Sequence, residues 1–235
     1  MIGRHVMVTF AKPTEIELFA EICQSFAIDN GAYSAWKSGA GFCMDDYAGF
    51  IKKWCRHPAF DFYLMPDVVD GDEFDNSRMR AAWSNLCSTG QMWELGVPVW
   101  HLHESLACLA QMVQAFPRIA LGSSGQYSQP GGKEWWSRMV EAMGVVCDSE
   151  GVPKVKLHGL RMLDPTIFSH LPLSSADSTN VARNTGLDSA WGGPYAPRSK
   201  RMRAMVLAER IESHASASRF CGESFGIQQS LELFG

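Results

Sequence analysis

Residues 97–124 read VPVWHLHESLACLAQMVQAFPRIALGSS: an apolar run, a polar turn, an amphipathic stretch and a second apolar run. The first run, 97–102, gives way to His103, Glu104 and Ser105, as a buried strand does when it surfaces. From Ser105 onward, Leu106, Leu109, Ala110 and Val113 recur at spacings of three and four, so 105–116 is expected to be a helix. Residues 118–121 then resume a short apolar run, which is expected to be the next strand. Strands that are continuously apolar, joined through a helix, imply parallel pairing in a sheet covered on both faces.

The same rhythm extends in both directions. Strands are expected at 6–10, 25–28, 60–65, 154–157 and 171–176, with helices at 45–56, 75–92 and 133–146. Seven or eight such βα units fit an α/β fold, a single compact (β/α)8 barrel of TIM type over residues 1–185. Residues 186–235 are expected to complete that domain as a C-terminal extension with a basic helix. A doubly wound open sheet is the other architecture this pattern allows.

Composition limits the function classes. Hydrophobic residues at 46% and charged residues at 20% are ordinary for a soluble globular domain, which excludes extended disorder and a dense disulfide scaffold. No run approaches the roughly 20 apolar residues of a membrane span, and residues 1–13 lack the pattern of a secretion signal, so a cytoplasmic protein without membrane partners is expected. The seven cysteines are widely spaced with no C-x-x-C pair, and Cys55 with His57 lacks a second half-site; reduced core thiols and no metal are expected. The net charge of −4 argues against binding through a global positive field, yet residues 118–235 carry 13 Lys and Arg against 11 acids, where 1–117 carry 8 against 14. Arg198, Lys200, Arg201 and Arg203 form the densest basic cluster, either a solvated helix face or a phosphate track. The loop Trp191-Gly192-Gly193-Pro194-Tyr195 lies just before it and would suit base stacking.

Barrel enzymes place their chemistry at the C-terminal ends of the strands. Here those ends hold Asp29, Asp67, His101 with His103, Gly122 with Ser123, His158 with Gly159, and Asp177. Strand-end carboxylates can divide labour as nucleophile and acid/base; the plain alternative is that each caps the helix that follows. His101 and His103 alternate and so share a face, as hydrogen-bonding groups in preference to metal ligands. Trp135, Met139 and Met143 share a helical stripe and are expected in the core.

Asp29-Asn30-Gly31-Ala32-Tyr33 resembles the Asp-Ser-Gly-(Gly/Ala)-(Phe/Tyr) motif of the tRNA-guanine transglycosylase superfamily, and Ser175-Ala176-Asp177-Ser178 followed by Arg183 resembles its nucleophile segment. Pro66-Asp67 stands in the place of the base-recognition aspartate, and Gly122 with Ser123 in that of the glycine-bearing loop under the base. The order agrees over residues 26–185. The zinc subdomain of the tRNA enzymes is missing, since only Cys221 lies beyond residue 147. The chain is therefore more similar to the compact, zinc-free DNA-acting branch, the DpdA-type 7-deazaguanine transglycosylases, phage members included; a phage-encoded copy would work in the host cytoplasm.

What the resemblance implies is exchange of guanine in DNA, favoured over tRNA, for a 7-deazaguanine such as 7-cyano-7-deazaguanine, with no cofactor. Asp177 would be the nucleophile that forms a covalent glycosyl-enzyme and Asp29 the proton shuttle. Asp67, His101, His103, Gly122, Ser123 and Gly159 would bind the base, and Arg183, Trp191, Arg198, Lys200, Arg201 and Arg203 the nucleic acid. A homodimer or a partner protein is compatible with this reading. The competing functions are an N-glycosidase that releases the base to water, and a catalytically silent barrel that binds nucleic acid.

Overall fold

The computed structural model describes residues 3–39, 41–87, 90–179 and 197–222. Its architecture is α/β, with two parallel four-stranded sheets in the orders β1-β2-β3-β4 and β5-β6-β7-β8. In both sheets spatial order follows chain order, as successive βα units require. The strand pairing does not show the expected single closed barrel. The strand expected at 97–102 is instead divided into β4 (Gly96–Val97) and β5 (Val99–His101) at Pro98, which has no N–H to give to a ladder. The chain divides into two compact units, Met1–Ala120 and Leu121–Gly235. The expected boundary at 185/186 lies outside the described residues.

In the first unit, β1 (His5–Thr9), β2 (Ser25–Asp29) and β3 (Phe60–Leu64) precede β4 and β5. β1 and β2 pair in register from His5 with Ser25 to Thr9 with Asp29, so both strands end at the same level. Two short helices, α1 (Ile16–Ile22) and α2 (Ala32–Ser38), were not expected from periodicity, because seven residues show barely two turns of it. α3 (Met44–Trp54) matches its expected position, whereas the pattern at 75–92 is two helices, α4 (Glu73–Leu86) and α5 (Gln91–Glu94), with Gly90 at φ 76° ahead of the second. Asp72 caps α4 by accepting from the Asp75 amide, and Ser105 caps α6 (Leu106–Ala115) by accepting from Cys108 at 3.1 Å; such caps are worth about 1 kcal/mol each. Val8, Ile16, Phe26, Ile28, Tyr47, Ile51, Tyr63, Met65 and Trp83 form this unit's core. Fully burying each of the aliphatic ones contributes about 1.5–3 kcal/mol before chain entropy is counted.

β6 (Arg118–Gly122) carries the chain from the first unit into the second. The second unit contains α7 (Lys133–Val146), β7 (Lys156–Gly159), α8 (Pro165–Phe168), β8 (Ser175–Ala176) and α9 (Lys200–Glu212). β7 begins two residues later than expected, and β8 is only the end of the expected 171–176 run. α7 has the expected bounds, with Trp135, Met139 and Met143 fully buried, which fits a packing stripe. None of the seven cysteines is in a disulfide, but only four, Cys55, Cys87, Cys108 and Cys147, are buried core thiols; Cys23 is half-buried, and Cys43 and Cys221 are exposed, which corrects the expectation for those three. Among the described residues no helix is long and apolar enough to cross a membrane.

Candidate functional site

The first unit builds a polar network on the C-terminal ends of β2, β3 and β5. Asn30, one residue beyond β2, is 2% exposed. Its side-chain amide donates to the Met65 carbonyl at 2.7 Å and to Asp67 Oδ1 at 2.6 Å, while its Oδ1 accepts the Ala32 amide at 2.8 Å. That last bond starts α2, and it needs Gly31 in the left-handed region at φ 76°, where a Cβ would stand 3.0 Å from the Ala11 nitrogen. Asp67 Oδ2 pairs with His101 Nε2 at 2.8 Å, both side chains being under a tenth exposed. The loop after β3 thus supplies a carboxylate held from two sides, by an amide and by an imidazole.

Beneath it, Glu104 folds back so that its Oε2 accepts the His101 amide at 3.1 Å, while the Glu104 amide donates to the His101 carbonyl at 2.8 Å. Burial pushes the Glu104 carboxyl above its ordinary pKa, opposed by the hydrogen bond from His101, by nearby His101 and Arg80 charge and by Asn76. The His101 and His103 rings stack with centroids 5.5 Å apart and planes at 22°, and His103 Nε2 bonds the Gly71 carbonyl at 2.9 Å. Tyr47, fully buried, donates to the Leu64 carbonyl at 2.8 Å. Its phenol is held well above the ordinary value by desolvation first, then by the Asp29, Tyr63 and Asp67 charges. On the solvent side of α2, Tyr33 and Trp36 are about half exposed, and Trp36 Nε1 donates to Asp70 Oδ2 at 2.8 Å.

The second unit has its own cluster. Asp177 follows β8, with its side chain 26% exposed. Oδ1 accepts the Arg161 amide at 3.1 Å and stands 3.5 Å from His158 Nε2. The Asp177 backbone is stapled at both ends, its amide to the Gly159 carbonyl at 3.1 Å and its carbonyl to the Leu163 amide at 3.0 Å. A Cβ on Gly159 would come within 2.8–2.9 Å of Leu173 and Met162, so a glycine is needed for this close approach. Ser123, after the buried Gly122, accepts from Trp135 Nε1 at 2.9 Å and anchors the loop to α7.

Neither Asp29 nor Asp67 caps the helix that follows its strand: the N-cap of α2 is Gly31 and that of α4 is Asp72. The capping alternative is therefore set aside on geometry for these two, while residues 180–196, which follow Asp177, lie outside the described residues. Asp67 and His101 are brought into direct contact, His103 against His101, and Gly159 against the Asp177 backbone. Arg198, Lys200 and Arg201 are exposed at the start of α9. Arg203 is buried at 4% exposure, donating to the Pro197 carbonyl at 2.7 Å and that of Arg198 at 3.2 Å, so it holds the segment ahead of α9 together. Arg183 and Trp191 lie outside the described residues. Asn30, Tyr47, His158 and Ser175 join these clusters although sequence reasoning assigned them no role, and so does Glu104, which the sequence offered only as a metal ligand beside His101 and His103. The only available signal was their adjacency to strand ends, which Tyr47, in the middle of α3, lacks.

Among the described residues no three His, Cys, Asp or Glu side chains group as a metal site would require. The chain matches no family model, no curated protein and no solved structure.

Proposed function

We propose that this chain is a glycosyltransferase that exchanges guanine in nucleic acid, DNA in preference to tRNA, for a 7-deazaguanine base through a covalent Asp177-glycosyl intermediate. The observation that carries the reading is the state of Asp177. One carboxylate oxygen is fixed by a backbone amide beside a buried histidine, the side chain is a quarter exposed, and Oδ2 has no hydrogen-bond partner among the described residues. A retaining carboxylate needs that combination of a held oxygen and an open one.

In the first half-reaction Asp177 Oδ2 bonds to C1′ as the C1′–N9 bond breaks, and the electron pair leaves with guanine. Asp29 passes a proton to the departing base and then takes the proton of the incoming base as that base attacks C1′ and frees Asp177. Asp67 keeps acceptor capacity for a purine N–H, because each of its oxygens has a second lone pair beyond the bonds to Asn30 and His101. His101, His103, Gly122, Ser123 and Gly159 complete the base site in this reading. Arg198, Lys200 and Arg201, with Arg183 and Trp191, meet the backbone and the extruded nucleotide. The reading includes closure of the strands into one barrel; strand order that follows chain order and polar strand ends support it.

The test is to incubate the protein with duplex DNA and, separately, with tRNA, supplying radiolabelled guanine or 7-cyano-7-deazaguanine. Label that enters DNA and disappears with Asp177→Ala is the expected result. Label in tRNA alone would correct the polymer. Free guanine without incorporation would make the protein a glycosidase, and neither product would leave a nucleic-acid-binding role.

A further inference from the structure

β7 and β8 pair in parallel with His158 opposite Ser175 and Gly159 opposite Ala176. Register partners in a parallel pair project to the same face, and a residue two positions on shares it. Ser175, His158 and Asp177 are therefore brought to one face by register, and the distances agree: Ser175 Oγ to His158 Nδ1 is 2.8 Å and His158 Nε2 to Asp177 Oδ1 is 3.5 Å. His158 is 2% exposed, so its ring is fixed among its neighbours.

The chemistry of the partners assigns the tautomer. An ionised carboxylate only accepts, so the nitrogen turned to Asp177 carries the proton. In the neutral ring Nδ1 is then the acceptor, and the Ser175 hydroxyl donates to it. At 3.5 Å the Nε2–H is beyond the ordinary hydrogen-bond range and acts on Asp177 as an oriented dipole, while the Arg161 amide at 3.1 Å makes the bond. Arg161 reaches that position with φ at 62°, a left-handed conformation a non-glycine residue adopts only when its surroundings impose it. Both groups address the same oxygen.

We infer that His158 is a positioning residue: with Nδ1 held by Ser175 and its Nε2–H turned to Asp177, it works with the Arg161 amide on Oδ1 of Asp177 and so presents Oδ2 as the oxygen that bonds to C1′. This rests on the proposed role of Asp177 as nucleophile. His158 transfers no proton in this role; the bonds exchanged are those at C1′ and those of the proton that Asp29 carries.

Two amide substitutions separate the two sides of the ring. In His158→Gln the amide falls near the Nε2 position and keeps a donor toward Asp177; in His158→Asn it falls near Nδ1 and keeps only the contact with Ser175. With labelled guanine and duplex DNA, His158→Asn is expected to lose about fivefold to tenfold in kcat, less than for a full hydrogen bond to a charged group because the contact is 3.5 Å long, with KM unchanged. His158→Gln is expected to stay near wild type. Equal losses in the two variants, or a loss expressed in KM, overturn the positioning role while leaving base exchange intact. Wild type that incorporates no label overturns base exchange, and this role falls with it.

The tautomer is read independently by ¹⁵N NMR of the His158 ring, where the Nε2–H form is expected and the Nδ1–H form would overturn the inference whatever the activity. If His158→Asn does not fold, Ser175→Ala serves instead. It is expected to shift the His158 ring nitrogens toward a tautomer mixture and lower kcat at constant KM; unchanged ring shifts would refute the assignment.

Discussion

Replacing Asp67 tests whether hydrogen bonding or charge holds the network at the ends of β2, β3 and β5. Asp67→Ala removes the acceptor for two buried donors, Asn30 Nδ2 and His101 Nε2, whose residues are 2% and 4% exposed. A buried donor left unsatisfied costs about 1–3 kcal/mol, and the Asn30 amide keeps its second bond to Met65. The Asp67 side chain is 9% exposed, so water has limited access to the space left behind. The expected loss is about 2–4 kcal/mol, with a fall in Tm of about 2–4 °C for each kcal/mol in a chain of this size. Asp67→Asn is expected to cost about 1 kcal/mol or less: its oxygen still accepts from Asn30, and its amide donates to His101 once that ring moves its proton to Nδ1. Urea melts of the two variants at neutral pH, read by tryptophan fluorescence, measure the gap. If the asparagine and alanine variants are equally destabilised, charge and not hydrogen bonding holds the network; if the alanine variant melts with wild type, the network contributes nothing.

Three further outcomes follow from side-chain placement. Glu104 has its folded pKa raised by burial, so its contribution to stability is fully present below the unfolded carboxyl pKa and is lost as pH rises through the folded value. Glu104→Gln should therefore raise Tm at pH 7 and lose that advantage near pH 4; an advantage that is constant with pH would refute this. Exposed Cys43 and Cys221 should alkylate first at pH 8, whereas Cys147, buried and with its thiol pushed up to about 11, should react only on unfolding, as read by peptide mass spectrometry. Under the proposed function, Arg201→Ala should reduce the salt dependence of DNA binding by about one counterion, while Arg203→Ala should instead cost about 1–3 kcal/mol of stability by freeing the Pro197 and Arg198 carbonyls. A salt slope that changes only with Arg203 would reverse these roles.

The sequence made the strand rhythm visible where an apolar run met a polar end, as at 25–29, 60–64 and 118–122. It misplaced β7 and most of β8 because Val155 and Leu171 continue the apolar texture without joining a ladder. The division at Pro98 follows from one missing N–H, a rule that was available but outweighed by the length of the run. Asp29, Asp67, His101 and Asp177 could be nominated because strand ends are marked by a change from apolar to polar. Their partners could not: Asn30 and Asp67 are 37 positions apart and His101 and Asp67 34. Periodicity carries nothing about contacts at that range. Arg203 looked like its basic neighbours, and only its place on α9 separates a buried guanidinium from three exposed charges.

Arg161 has an evolutionary consequence. A side chain held at φ 62° costs about 1–2 kcal/mol relative to an unstrained residue, and Asn or Gly would relieve part of it while keeping the amide that Asp177 accepts. Glycine would also let that amide wander, since it has more conformations to visit. Heat tolerance and fixed carboxylate geometry thus pull position 161 in opposite directions. Lineages selected only for survival at high temperature should drift toward Gly or Asn there, and, under the proposed role of Asp177, lineages selected for turnover should keep the strained residue.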